Sequence, residues 1–65
     1  MTLPEATQYV GRSCLVSWLD KAEHEFSELM RVEDVLAVPL YGEYLIGDVR
    51  ELRLDRITRL EAVNP

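Results

Sequence analysis

Cysteine, histidine and glycine are scarce in this chain, and each scarcity removes a class of protein. A single cysteine, Cys14, leaves no internal disulfide to staple a domain of 65 residues. No Cys/His spacing suggests a structural metal, so the second common staple of small domains is missing as well. A domain of this size buries only about 60% of its unfolded surface and is marginal alone. Self-association into a homo-oligomer is therefore expected. The three glycines, Gly11, Gly42 and Gly47, are scattered turn residues and form no phosphate-cradling loop. No apolar run approaches the ~18 residues of a membrane span. Met1-Thr2-Leu3-Pro4-Glu5 also lacks the basic-then-apolar pattern of a signal peptide. The expectation is a cytoplasmic protein with no membrane contact. There are no repeats, low-complexity tracts or linkers, so residues 1–65 read as one domain.

Basic charge is also in short supply. The net charge of −5 argues against nonspecific binding to nucleic-acid phosphates. Residues 1–49 carry three basic and nine acidic side chains, a balance of −6. Residues 50–65 carry four arginines and three acids, a balance of +1. An acidic front with an arginine-bearing end suits a protein partner with a basic surface, and it also suits plain solubility.

The longest patterned stretch is Ser13 to Arg31. At 100° per residue, Leu15, Val16, Trp18, Leu19, Ala22, Phe26, Leu29 and Met30 fall within one arc of about 160°. Strict alternation fails between Asp20 and Glu25, which argues against a single strand. The reading is an amphipathic helix over 13–31, N-capped by Ser13. Before it, Pro4 starts a short helical turn, Tyr9 and Val10 form a short strand or a clamp on the core, and Gly11 ends the lead. After it, Val35-Leu36-Ala37-Val38 is a short valine-rich run limited by Pro39 and reads as a strand. Tyr44-Leu45-Ile46, Gly47-Asp48 and Val49-Arg50-Glu51 read as a hairpin with a type II′ turn. Leu52 and Leu54 alternate with Arg53 and Asp55 as on a half-buried strand. A helix starting at Asp48 is the weaker alternative, because Leu52 and Leu54 would then point apart. Ile57, Leu60 and Val63 continue as a bent strand or a short helix. The expected fold class is α+β: one amphipathic helix packed on a small antiparallel sheet near 35–39, 43–46, 49–55 and 57–62. Leu36, Val38, Leu45, Leu52, Leu54, Ile57 and Leu60 complete the expected core.

Little in the chain looks catalytic. His24 stands alone, and on a helix it lies about 15 Å from Cys14, too far for a thiol–imidazole pair. Asp20, His24 and Glu28 fall four apart, as a weak metal site or as a solvated charge ladder. The ladder is the simpler reading, and neither a cofactor nor an enzyme activity is expected. Binding residues are easier to nominate. Asp20, Glu23, Glu25 and Glu28 would form an acidic helix face for a basic protein partner. Arg50, Arg53, Arg56 and Arg59 recur every three residues. They either grip phosphates or carboxylates or pair internally with Glu51, Asp55 and Glu61. Tyr41 and Tyr44 flank Gly42 and either stack on bases or cover a sheet edge.

The run Glu43-Tyr44-Leu45-Ile46 followed by Arg50-Glu51-Leu52-Arg53-Leu54-Asp55-Arg56-Ile57 resembles the last strands of Rof, the Rho-binding antiterminator family. It is also similar to the end of WYL domains. Both are small barrels of the Sm or SH3 kind, and the match covers about 15 residues. The first part of a Rof-like barrel holds a long hairpin, where residues 13–31 here read as helix. The Rof resemblance implies a small non-enzymatic acidic regulator that docks on an RNA-handling protein. The WYL resemblance implies ligand or nucleic-acid contact through Arg50, Arg53 and Arg56. The acidic charge favours the regulator, with a nucleotide- or nucleic-acid-binding module on the arginine strand 50–59 as the alternative.

Overall fold

The computed structural model describes residues 1–63, so the last two positions of the expected domain lie outside the described residues. The N-terminus forms a short helix, α1 (Leu3–Thr7). Thr2 caps it: its hydroxyl accepts from the Glu5 N–H, and the Glu5 carboxylate accepts from the Thr2 N–H. This is a capping box, with Pro4 in the first turn where its missing N–H costs nothing. Ala6 is fully buried, and Leu3 and Tyr9 pack on the core. Gly11, at φ +86°, donates to the Val32 carbonyl, and Val32 donates to that of Arg12. These two bonds tie the lead to the sheet.

Five strands follow: β1 (Ser13–Leu19), β2 (Glu25–Val38), β3 (Gly42–Gly47), β4 (Glu51–Arg53) and β5 (Ile57–Ala62). A 3-10 turn, Leu54–Arg56, joins β4 to β5. All pairings are antiparallel, in the order β4-β3-β2-β1-β5. The 14-residue β2 is shared between two halves. Its first half pairs with β1, and its second half pairs with β3 after an irregularity between Val32 and Asp34. The core lies between the halves: Cys14, Val16, Met30, Val32, Leu45, Leu54, Ile57 and Leu60, with Ala6 from the helix.

The α+β class therefore stands in its coarse form, an antiparallel sheet with one short helix, but the helix is α1. The expected helix over 13–31 is a β-hairpin. Ser13 pairs with Arg31, Val16 with Glu28 and Trp18 with Phe26, and Ser13 begins a strand instead of capping a helix. The lost alternation between Asp20 and Glu25 marks the hairpin tip. Asp20 Oδ1 accepts from the N–H groups of Ala22 and His24, and Glu23 adopts φ +63°. An Asp side chain thus supplies the turn, and a glutamate occupies the left-handed position that glycine usually marks.

Burial follows the strand period. Leu29 is 60% exposed and Phe26 47%, although both lay on the helical arc, while Val32, outside that arc, is fully buried. Leu36 and Val38, expected in the core, are exposed because they alternate with half-buried Val35. The β3–β4 turn also differs by one residue. Gly47 donates to the Arg50 carbonyl and Ile46 pairs with Glu51, so Asp48-Val49 occupy the loop. Gly47 does not adopt positive φ. Asp48 is tied to β2 instead: Arg31 N–H donates to its Oδ1, and its own N–H donates to the Arg31 carbonyl.

Candidate partner-binding surface

Strand alternation sorts the residues of β2, β3 and β4 onto two faces. Leu45 points inward and is fully buried. The outward face is built in cross-strand rows. Asp34, Ile46 and Glu51 form one row, Leu36, Tyr44 and Arg53 the next, and Val38 and Gly42 a third. The loop Pro39-Leu40-Tyr41 closes the far end. Tyr41 N–H donates to the Val38 carbonyl, and Leu40, at φ +73°, is fully exposed. A Pro followed by a positive-φ residue matches a type II turn. Leu36, Val38, Tyr41, Tyr44, Ile46 and Glu51 line an open groove of about 430 Å³.

Arg53 borders this groove and is held from three sides. Its guanidinium forms two 3.2 Å hydrogen bonds to Asp55. It also donates to the Tyr41 carbonyl at 2.9 Å and lies 5.8 Å from the Tyr44 ring centroid. Gly42 leaves room for it, since a Cβ there would stand 3.1 Å from a guanidinium nitrogen. Tyr41, Tyr44 and Arg53, all nominated from the sequence, are thus one cluster. The hydrogen bonds from Arg53 hold the Asp55 carboxyl below its ordinary value, and Asp55 in turn raises Arg53. A depressed carboxylate contributes above its unfolded value, and that contribution is lost as pH falls through the folded value. Carbon-detected NMR titration should therefore find Asp55 titrating below the ordinary aspartate midpoint. In Arg53→Gln it should return to that midpoint; an unchanged midpoint in the variant would exclude the pair as the cause.

The other nominated residues lie elsewhere. The acidic helix face does not exist, because Asp20, Glu23, Glu25 and Glu28 sit on a hairpin. Asp20 is engaged in the tip turn, with its carboxylate 3.4 Å from His24 Nδ1. Glu23 is exposed in the tip, and Glu25 accepts from the Thr58 hydroxyl on β5. Glu28 pairs with Arg50 at 2.6 Å, so the expected Asp20–His24–Glu28 ladder is broken after His24. Among the described residues, no three His, Cys, Asp or Glu side chains gather as metal ligands would.

Arg50 also lies 5.0 Å from the centroid of Trp18, which stacks on Phe26 at 5.9 Å. Three of the four nominated arginines are thus paired inside the chain: Arg50 with Glu28, Arg53 with Asp55 and Arg59 with Glu61. Two of the expected carboxylate partners are correct, and Glu28 stands in place of Glu51. Among the described residues Arg56 reaches only the Asp20 carbonyl, at 3.5 Å.

Cys14 is buried in β1, and burial pushes its thiol up, away from a reactive thiolate. The tip bearing His24 is about 17 Å or more away, at 3.3–3.4 Å per strand residue. No described helix is long and apolar enough to cross a membrane.

Sequence reading missed Leu36, Val38 and Ile46 as surface residues. The signal was present in the alternation Asp34-Leu36-Val38 against Val35, but a run of four apolar residues hides which set faces out. Comparison with known proteins finds no family model, no curated protein and no solved structure that matches this chain.

Proposed function

We propose that this chain is a small non-enzymatic regulator that acts by binding a protein partner, in the transcription or RNA-handling setting that the Rof resemblance implies. The observation that carries the reading is the outward face of β2–β4. Leu36, Val38 and Tyr41 stand 43%, 37% and 68% exposed around a groove, on a domain with very little core to spare. Exposed apolar patches rimmed by polar groups mark interaction sites. The strand order and the shared β2, with its register irregularity between Val32 and Asp34, favour a small barrel of the Sm or SH3 kind. The long hairpin of β1 and β2 stands where a Rof-like barrel has one, which favours Rof over WYL. Internal pairing of Arg50, Arg53 and Arg59 weakens the case for a phosphate-gripping strand. A buried thiol distant from the sole imidazole supports a non-enzymatic role.

Tagged protein used to capture partners from lysate, with and without nuclease, tests this reading, followed by affinity measurements on the purified partner. A protein retained after nuclease, and bound at least about tenfold more weakly by Leu36→Ala/Tyr44→Ala, is the expected result. Recovery abolished by nuclease, with short oligonucleotides weakened by Arg50→Ala/Arg56→Ala, would overturn it in favour of nucleic acid.

A further inference from the structure

The outward face is not uniformly apolar, and its charges are arranged. Ile46 lies between two carboxylates in one cross-strand row, Asp34 on β2 and Glu51 on β4. Both acids are exposed, and neither forms an ion pair among the described residues. Among the described residues Asp34 accepts only from the Val35 N–H, which leaves most of its acceptor capacity unused. Their backbones stand two strand spacings apart, about 10 Å, close enough for one cation to serve both. At the next row the charge is already neutralised, with Arg53 bound to Asp55 and lying over Tyr44. The face therefore has an anionic end at Ile46 and an apolar end at Leu36, Val38 and Tyr41.

We infer that this face holds an extended segment of the partner in which apolar residues stand two and four positions from a lysine or arginine. The inference rests on the protein-binding reading. The basic side chain lays its aliphatic stem over Ile46 and places its charge between Asp34 and Glu51. The apolar residues fall over the Leu36–Tyr44 row and then over Val38 and Tyr41. The spacing follows from geometry: rows on one face of a sheet lie about 6.6–6.8 Å apart, and so do same-side residues of an extended peptide. The existing Arg53 contact occupies the Tyr44 ring, so the incoming cation is directed to the other row.

The test pans a phage-displayed random 12-residue library on the immobilised full chain, then titrates the best synthetic peptide into ¹⁵N-labelled protein. The expected peptides carry a basic residue with apolar residues at the second and fourth positions from it. Their shifts should centre on Leu36, Tyr44 and Ile46. Asp34→Asn/Glu51→Gln should weaken binding at least about tenfold and flatten its salt dependence, while Glu28→Gln leaves it unchanged. The spectrum of each variant reports its fold. Acidic or charge-indifferent peptides would overturn the inference, as would full affinity in the double variant. Peptides that shift Trp18 and Phe26 instead would overturn this placement and leave the protein-binding reading standing. Concentration-dependent shifts of Leu36 and Tyr44 in the protein alone, with a dimer in sedimentation, would assign the face to a second copy and overturn the partner segment.

Discussion

Leu45→Ala should remove most of the protein's stability at 25 °C, whereas Leu36→Ala should barely change it. Leu45 is fully buried in the middle of β3, and Leu36 is 43% exposed on the neighbouring strand. Truncating a buried leucine costs about 2–5 kcal/mol, from lost transfer energy and the cavity left behind. A single core in a domain this small rarely supplies more than about 3–5 kcal/mol in total. The substitution therefore removes most of the available stability, while truncation of the exposed leucine should cost less than about 1 kcal/mol. Urea titration followed by Trp18 fluorescence separates the two. The same method distinguishes hairpin from helix over 13–31. On a helix Val16 and Leu29 share the buried arc, but here Val16 is fully buried and Leu29 is 60% exposed. Val16→Ala should lower the midpoint and Leu29→Ala should not; equal losses would contradict the hairpin.

Gly47→Ala should destabilise the fold by about 1–3 kcal/mol, the range for forcing a carbon into a packed site. The cause is close approach, since Gly47 does not require a left-handed backbone. A Cβ at this position would stand 2.5 Å from Met30 Sδ and 3.1 Å from the Arg50 carbonyl oxygen. Met30 is 3% exposed and packed in the core, so its thioether has little room to withdraw. For a domain of this size the loss corresponds to a fall in Tm of about 4–24 °C, at 4–8 °C per kcal/mol. The mechanism has its own check in a double-mutant cycle. In a Met30→Ala background the added methyl should cost much less, because the sulfur it strikes is gone. Additive losses would assign the effect to the Arg50 carbonyl instead. A Tm unchanged by Gly47→Ala would show that the β2–β3 packing is looser than described.

Much of the second half of the chain was legible because its signals are local. Valine-rich 35–38 ends at Pro39, Tyr44-Leu45-Ile46 precedes a glycine, and Leu52 alternates with Arg53; each falls in or beside a strand. Pro4 likewise marks α1. Residues 13–31 were not legible because two strands and a tip fold the same residues into a false helical arc. Trp18 and Phe26 share that arc, yet they meet across the hairpin in register. The tip offers no Asn-Gly or Asp-Gly, so the Asp20 side chain had to be recognised as the turn-forming group. The candidate site divided in the same way. Tyr41, Tyr44 and Arg53 are close in sequence and cluster in space. The acidic face depended on the helix and disappeared with it. The pairing of Asp34 with Glu51 across Ile46 depends on register over three strands, which no local pattern reveals.

Docking of a protein partner on the outward face of β2–β4 is the proposal to test first. The most direct measurement is a titration of the purified captured partner into ¹⁵N- and methyl-labelled protein, read residue by residue. The largest shifts are expected at Leu36, Val38, Tyr44 and Ile46, with the hairpin tip at 20–24 unmoved. Shifts centred on Trp18, Phe26 and Arg50, with Leu36 and Ile46 unmoved, would contradict it.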